Sequence, residues 1–300
     1  MSTRCDDIID DARRVLALDR LGLPCSTDAQ AIFSSMNALR QSAGPEVFDE
    51  LVTRGFLAGA AERYETYIAA GMRAVPAVRY KMGTPAEEMR HFCGEWPRHD
   101  VELSPFAVSA YAVTNSVYAT FDSRRGNMPS DERSHPITDV TWFDAAVFAL
   151  WVGCRLLTEA EWEYLCGAGG QAPWCCADVR DLASYAWYSA NADDRTHPVG
   201  TRLPNSLDMY DMHGNVWEWC ADDYSDTYYA SAPRRDPLND HAAANGTAPA
   251  NTHKVSRGGG FYALAEMCRT RYRLHDPGNY YAHDLGFRLA RGPQRYERMS

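Results

Sequence analysis

The residues best able to do chemistry are concentrated near the C-terminal end, in RGGGFYALAEMCRTRYRLHDPGNYYAHDLGFRLAR, from Arg257 to Arg291. Two His-Asp pairs, His275-Asp276 and His283-Asp284, carry imidazole and carboxylate groups of the kind that hold iron or a similar metal in a two-His-one-carboxylate site. Cys268 stands beside Arg269 and Arg271, cations that would lower its pKa and make it a nucleophile or a soft-metal ligand. Cys268, His275 and His283 are therefore the candidate catalytic residues. The same stretch also reads as a recognition surface. Tyr262, Glu266, Arg271, Tyr272, Asn279, Tyr280 and Tyr281 combine contact area with adaptable hydrogen bonding, the chemistry of a substrate- or partner-binding face. Spacing alone does not choose between these readings.

Two helices are expected just upstream of this chemistry. In ITDVTWFDAAVFALWVG, Asp139, Thr141 and Asp144 compete as caps. In RLLTEAEWEYLCGAGG, Thr158 followed three residues later by Glu161 is a capping box, and the run of glycines from Gly167 ends the helix. Residues 1–75 read as a helical region, with apolar positions recurring at three-to-four spacing from Phe48 to Ile68. From residue 76 to 292, short strand-like runs separated by turn signals mark a second unit, followed by a tail at 293–300. The polar stretch from about 225 to 254 reads as a long surface loop. No phosphate loop, GxSxG elbow, HExxH or CxxC pair occurs.

Composition narrows the function classes. The chain has 300 residues, 45% hydrophobic and 23% charged, enough for a substantial core. Its net charge of -10 argues against nucleic-acid binding, which needs clustered cations. No run approaches the about 18 apolar residues of a membrane span. The acidic start, MSTRCDDIIDDARR, differs from a basic secretory leader, so a cytoplasmic location with nine reduced thiols is expected.

Three segments taken together carry a resemblance: residues 155–170, residues 204–224 (PNSLDMYDMHGNVWEWCADDY) and residues 257–291. In this order they resemble the formylglycine-generating enzyme family. That resemblance implies an α+β domain, a variant of the C-type lectin fold, preceded here by a small helical N-terminal region. It also implies structural calcium, held by the Asp211 and Glu218 carboxylates and the Gly214 and Val216 carbonyls, an oxygen-only set suited to that ion. Arg257, Arg269, Arg273 and Arg288 match family positions and are expected in internal salt bridges.

Authentic members of the family hold copper(I) between two cysteines. Counting forward from Gly258-Gly259, those positions fall on Ala263 and Cys268, and Gly260 stands where the family has serine. Sulfatase activation is thereby disfavoured. A related iron-dependent branch draws histidines from a helical domain, yet residues 1–90 contain none. The leading expectation is a divergent oxidoreductase, dependent on oxygen and on iron or copper, acting on a small molecule or peptide. The alternative is a non-catalytic module that binds a ligand or protein, like the variable proteins of diversity-generating retroelements.

Overall fold

The computed structural model describes residues 59–85, 94–240 and 252–292. The apolar stripes expected before residue 59, and the tail at 293–300, lie outside the described residues. Helix α1 (Ala60–Tyr67) leads into strand β1 (Met72–Val75), followed by β2 (Val78–Met82), β3 (His99–Leu103) and β4 (Phe106–Ser109). A single turn, α2 (Asn115–Tyr118), precedes the two main helices. These are α3 (Trp142–Trp151) and α4 (Glu159–Gly167), with the short strand β5 (Arg155–Leu156) between them. The chain then gives β6 (Trp217–Asp223), β7 (His253–Arg257), β8 (Leu274–Pro277), β9 (Leu285–Gly286) and β10 (Leu289–Arg291). Among the described residues no helix is long and apolar enough to cross a membrane.

Strand pairing ties the two ends of the domain together. One sheet has the order β1-β4-β10-β5, so the last strand lies between β4 and β5. A second has the order β8-β7-β6-β9, with β6 and β9 parallel. β2 and β3 form a separate antiparallel pair. Because Met72–Val75 pairs with Phe106–Ser109, the sheet begins within the segment read from sequence as helical, before residue 76. Tyr64 of α1 and Ile68 at its C-terminal end are likewise buried in the domain core.

Both main helices begin as their local sequence dictates. Thr141 caps α3 and Asp144 returns the bond to the Thr141 amide, which settles the competition among the three candidate caps. Thr158 and Glu161 do the same for α4. α3 is apolar nearly all round and sits at the centre of the larger core cluster, where Phe148 packs edge-on against Phe287 at 5.7 Å. Truncating Phe148 to alanine would remove about 3–5 kcal/mol of stability. α4 is the unusual element, since Glu159, Glu161 and Glu163 are all buried with it. A buried carboxylate needs a charged or hydrogen-bonding partner, and those partners come mostly from the C-terminal segment.

Candidate functional site

Four arginines fasten residues 257–291 to the rest of the domain. Arg257 Nη2 donates to Glu163 at 2.5 Å and Arg273 to Glu159 at 2.6 Å, both on α4. Arg269 reaches Glu95 at 2.8 Å, and Arg288 reaches Glu218 on β6 at 2.6 Å. Each pair is buried. Burial alone would raise the pKa of Glu159, but the Arg273 and Arg257 guanidiniums outweigh it and hold the carboxyl below its ordinary range. The arginines are internal struts, as the sequence leads one to expect.

At the centre of the segment the backbone folds tightly around Cys268. Gly259 has a φ of +83°, and a Cβ there would lie 2.5 Å from Cys268 Sγ and 3.3 Å from Ala263 Cβ. Residues 263 and 268 therefore stand side by side behind Gly259. Cys268 is 0% exposed, and burial, followed by the Glu266 charge, pushes its thiol up to about 12. This reverses the expectation of a lowered pKa. Arg269 is occupied by Glu95 and the Glu266 carbonyl, and Arg271 donates to the Gln171 carbonyl, so desolvation dominates at the sulfur.

Sequence reasoning assigned no role to His213, which the structure places against this loop. It is 1% exposed, Nδ1 lies 2.8 Å from the Cys268 carbonyl, and Nε2 accepts the Cys175 amide at 3.0 Å. Burial lowers its pKa to about 4, so it is a neutral ring with the proton on Nδ1. The sequence signal was its place in DMHGNVWEW, between Asp211 and Glu218.

The two histidines expected to share a metal have separate partners. His275 contacts His253 and stacks on Tyr224, whereas His283 Nδ1 lies 2.8 Å from Asp139 Oδ1. The hydrogen bond to Asp139, and then its charge, raises the pKa of His283. Among the described residues, no group of three or more His, Cys, Asp or Glu side chains is arranged to hold a metal ion. The expected two-His-one-carboxylate centre at His275 and His283 is therefore not assembled.

The residues read as substrate-binding divide into two sets. Tyr262, Tyr280 and Tyr281 are 57%, 45% and 60% exposed, and Glu266 and Asn279 are exposed too. Arg271 is buried, and Tyr272 turns inward to pack on Trp217 at 5.8 Å. Leu264, 60% exposed, joins the outward set and was not singled out from sequence. Its signal is alternation, since Phe261 and Ala263 are buried while Tyr262 and Leu264 face solvent.

The loop before β6 carries the residues expected to hold calcium, Asp211, Gly214, Val216 and, at its end, Glu218. Asp211 adopts a φ of +58°, Oδ2 accepts the Gly200 amide at 2.8 Å, and Oδ1 is buried with no hydrogen-bond partner. Burial raises this carboxyl to about 6, against the Gly200 bond and Arg288. Glu218 already receives Arg288 on both oxygens and the Trp162 indole at 2.8 Å. The Gly214 carbonyl accepts the Val216 amide at 2.9 Å.

Residues 58–293 match the family of the sulfatase-modifying factor enzyme 1-like domain. The chain belongs to this family. It is similar to the formylglycine-generating enzyme of Thermomonospora curvata, 29% identical over 298 residues, covering 75% of this chain and 95% of that one. The serine/threonine-protein kinase pkn1 of Chlamydia caviae is 30% identical over 224 residues, covering 66% of this chain and 35% of the kinase. Among solved structures, PvdO from Pseudomonas aeruginosa superposes with a TM-score of 0.64 and 27% identity, covering 74% of this chain and 94% of PvdO. Treponema denticola variable protein 1 shares the fold at a TM-score of 0.62 and 23% identity, covering 74% and 95%. The formylglycine-generating-enzyme-like variant of the C-type lectin fold, expected from the three segments, is the fold observed.

Family membership allows the expected cofactors to be tested against these residues. Copper(I) held by two thiolates does not fit, because the neighbour of Cys268 behind Gly259 is Ala263. For calcium the residues offer one open donor: Asp211 Oδ1 is buried without a hydrogen-bond partner, whereas both Glu218 oxygens already receive Arg288, so an ion would have to share Glu218 with that guanidinium.

Proposed function

We propose that this family member is a binding module: it recognises a small-molecule, peptide or protein ligand through the outward side chains of residues 262–281. The observation that carries this reading is the contrast within one segment. Tyr262, Leu264, Tyr280 and Tyr281 stand exposed on a backbone pinned by buried ion pairs, while the Cys268 thiol is sealed behind Gly259. Rigid support beneath amphipathic aromatic rings lowers the ordering cost of binding. Calcium at Asp211, Gly214, Val216 and Glu218 would pin the loop before β6 and serve a structural role.

A second reading, an oxygen-dependent oxidoreductase on a small molecule or peptide, draws support from the 29% identity to a formylglycine-generating enzyme along nearly its whole length. Metal analysis of anaerobically purified protein, with and without added iron(II) and copper(I), separates the two. The binding reading expects no stoichiometric redox metal and no oxygen uptake. It also expects binders selected from a displayed peptide library to lose affinity on Tyr262→Ala or Tyr281→Ala. Stoichiometric iron or copper with oxygen uptake, both lost in Cys268→Ala, would overturn it in favour of the oxidoreductase.

A further inference from the structure

Two imidazoles meet across the β7–β8 pair at one edge of the β8-β7-β6-β9 sheet. His253 opens β7 and His275 lies on β8, and the antiparallel register sets His253 opposite Pro277 and Val255 opposite His275. The histidines are thus diagonal neighbours, two positions apart, and share one face of the pleat. Their Nδ1 atoms are 2.7 Å apart and their ring centroids 4.8 Å apart. Such a contact requires at least one of the two nitrogens to present a lone pair. His253 is exposed and His275 partly so, which leaves the pair open to solvent.

Tyr224 holds the His275 ring and the His253 backbone. The Tyr224 ring stacks on His275 at a centroid distance of 3.9 Å, and the Tyr224 amide donates to the His253 carbonyl at 2.8 Å.

The geometry points to a divalent transition-metal site of the copper(II), nickel(II), cobalt(II) and zinc(II) class, with His253 Nδ1 and His275 Nδ1 as its two protein ligands and water in the remaining positions. Imidazole nitrogen suits these ions. At metal–nitrogen distances of about 2.0–2.1 Å, two ligands at right angles stand roughly 2.9 Å apart. The two nitrogens now face each other at 2.7 Å, so to converge on one ion the rings must turn aside, the exposed His253 making the larger swing. With no third His, Cys, Asp or Glu grouped there among the described residues, the site is a two-point chelate that exchanges its metal. It differs in donor chemistry from the oxygen-only calcium loop, and it does not depend on the proposed binding function.

Titrating the full chain with cobalt(II), in excess calcium, tests this directly. One cobalt per chain is expected, showing ligand-field bands without a thiolate charge-transfer band, and zinc(II) should displace it. His253→Ala and His275→Ala should each weaken binding roughly tenfold or more, whereas His283→Ala should leave it unchanged. His275→Gln, which keeps bulk against Tyr224, should show the same loss and guard against a folding artefact. Undiminished affinity in the His253 and His275 variants, a thiolate band, or no cobalt bound would each overturn the proposal.

Discussion

The Asp284 carboxylate occupies the space that a side chain at residue 260 would need. A Cβ on Gly260 would come within 2.8 Å of both Cβ and Cγ of Asp284. A carboxylate from the turn before β9 thus fills the place beside residue 260, just after β7. The Asp284 carbonyl also accepts the Trp217 amide at 2.7 Å, which fixes the residue against the start of β6. Burial raises the Asp284 pKa, and the nearby Asp139 charge adds to that, with the Asp284 amide and His283 opposing.

This relationship predicts a non-additive pair. Gly260→Ser alone should destabilise the domain by about 1–3 kcal/mol through overpacking. In an Asp284→Ala background the cost should fall to well under half. Thermal or urea unfolding of the four-member cycle measures it, and additive costs would show that the two residues do not compete for space.

Breaking a buried strut should be expensive. Arg273→Met leaves Glu159 buried without its nearest cation and should cost about 3–5 kcal/mol. The sign of the accompanying pH effect follows from Glu159. Its folded pKa is depressed, so its contribution is present above the unfolded value of about 4.3 and lost as pH falls through the lower folded value. Denaturant titrations of wild type and Arg273→Met from pH 7 to 3 should therefore converge at the acid end.

Cys268 should be inert in the folded protein. With its thiol pushed up to about 12 and no exposed surface, it should resist a disulfide reagent at pH 8 until the chain unfolds. Mass-spectrometric mapping after brief labelling reads this out. Rapid native labelling at Cys268 would contradict the sealed arrangement behind Gly259.

Asp211 and His213 should make opposite contributions below neutral pH. His213 is depressed to about 4, so its contribution is lost as pH falls from about 6.5 toward 4, on the order of 3 kcal/mol. His213→Gln should flatten that loss. Asp211 without calcium is raised to about 6, so the folded state binds its proton more readily. Its contribution grows as pH falls from 6 toward the unfolded value near 3.9. Unfolding of each variant across pH 7 to 4, in chelator, separates the two.

Calcium should invert the behaviour of Asp211. Ligation favours the ionised carboxylate, so added calcium should raise the melting temperature at pH 7 and lose its effect as pH falls below 6. Asp211→Ala should abolish the calcium-dependent shift. A shift retained in that variant would remove Asp211 from the ligand set.

The local sequence determined what local physics governs. Thr158 and Glu161 cap α4 through contacts three residues apart, and Thr141 and Asp144 do the same for α3, so both starts were legible from spacing. The three ordered segments likewise sufficed for the family and fold. Tertiary structure decided the rest, because the deciding contacts join residues far apart in the chain. Arg273 meets Glu159 across 114 positions, His213 meets the Cys268 carbonyl across 55, and His253 meets His275 across 22. Residue type alone also left Tyr262 and Tyr272 equivalent until packing turned one outward and the other onto Trp217. The Cys268 pKa shows the same limit. Neighbouring arginines suggest a lowered value, but their charge is committed to distant partners and burial sets the outcome.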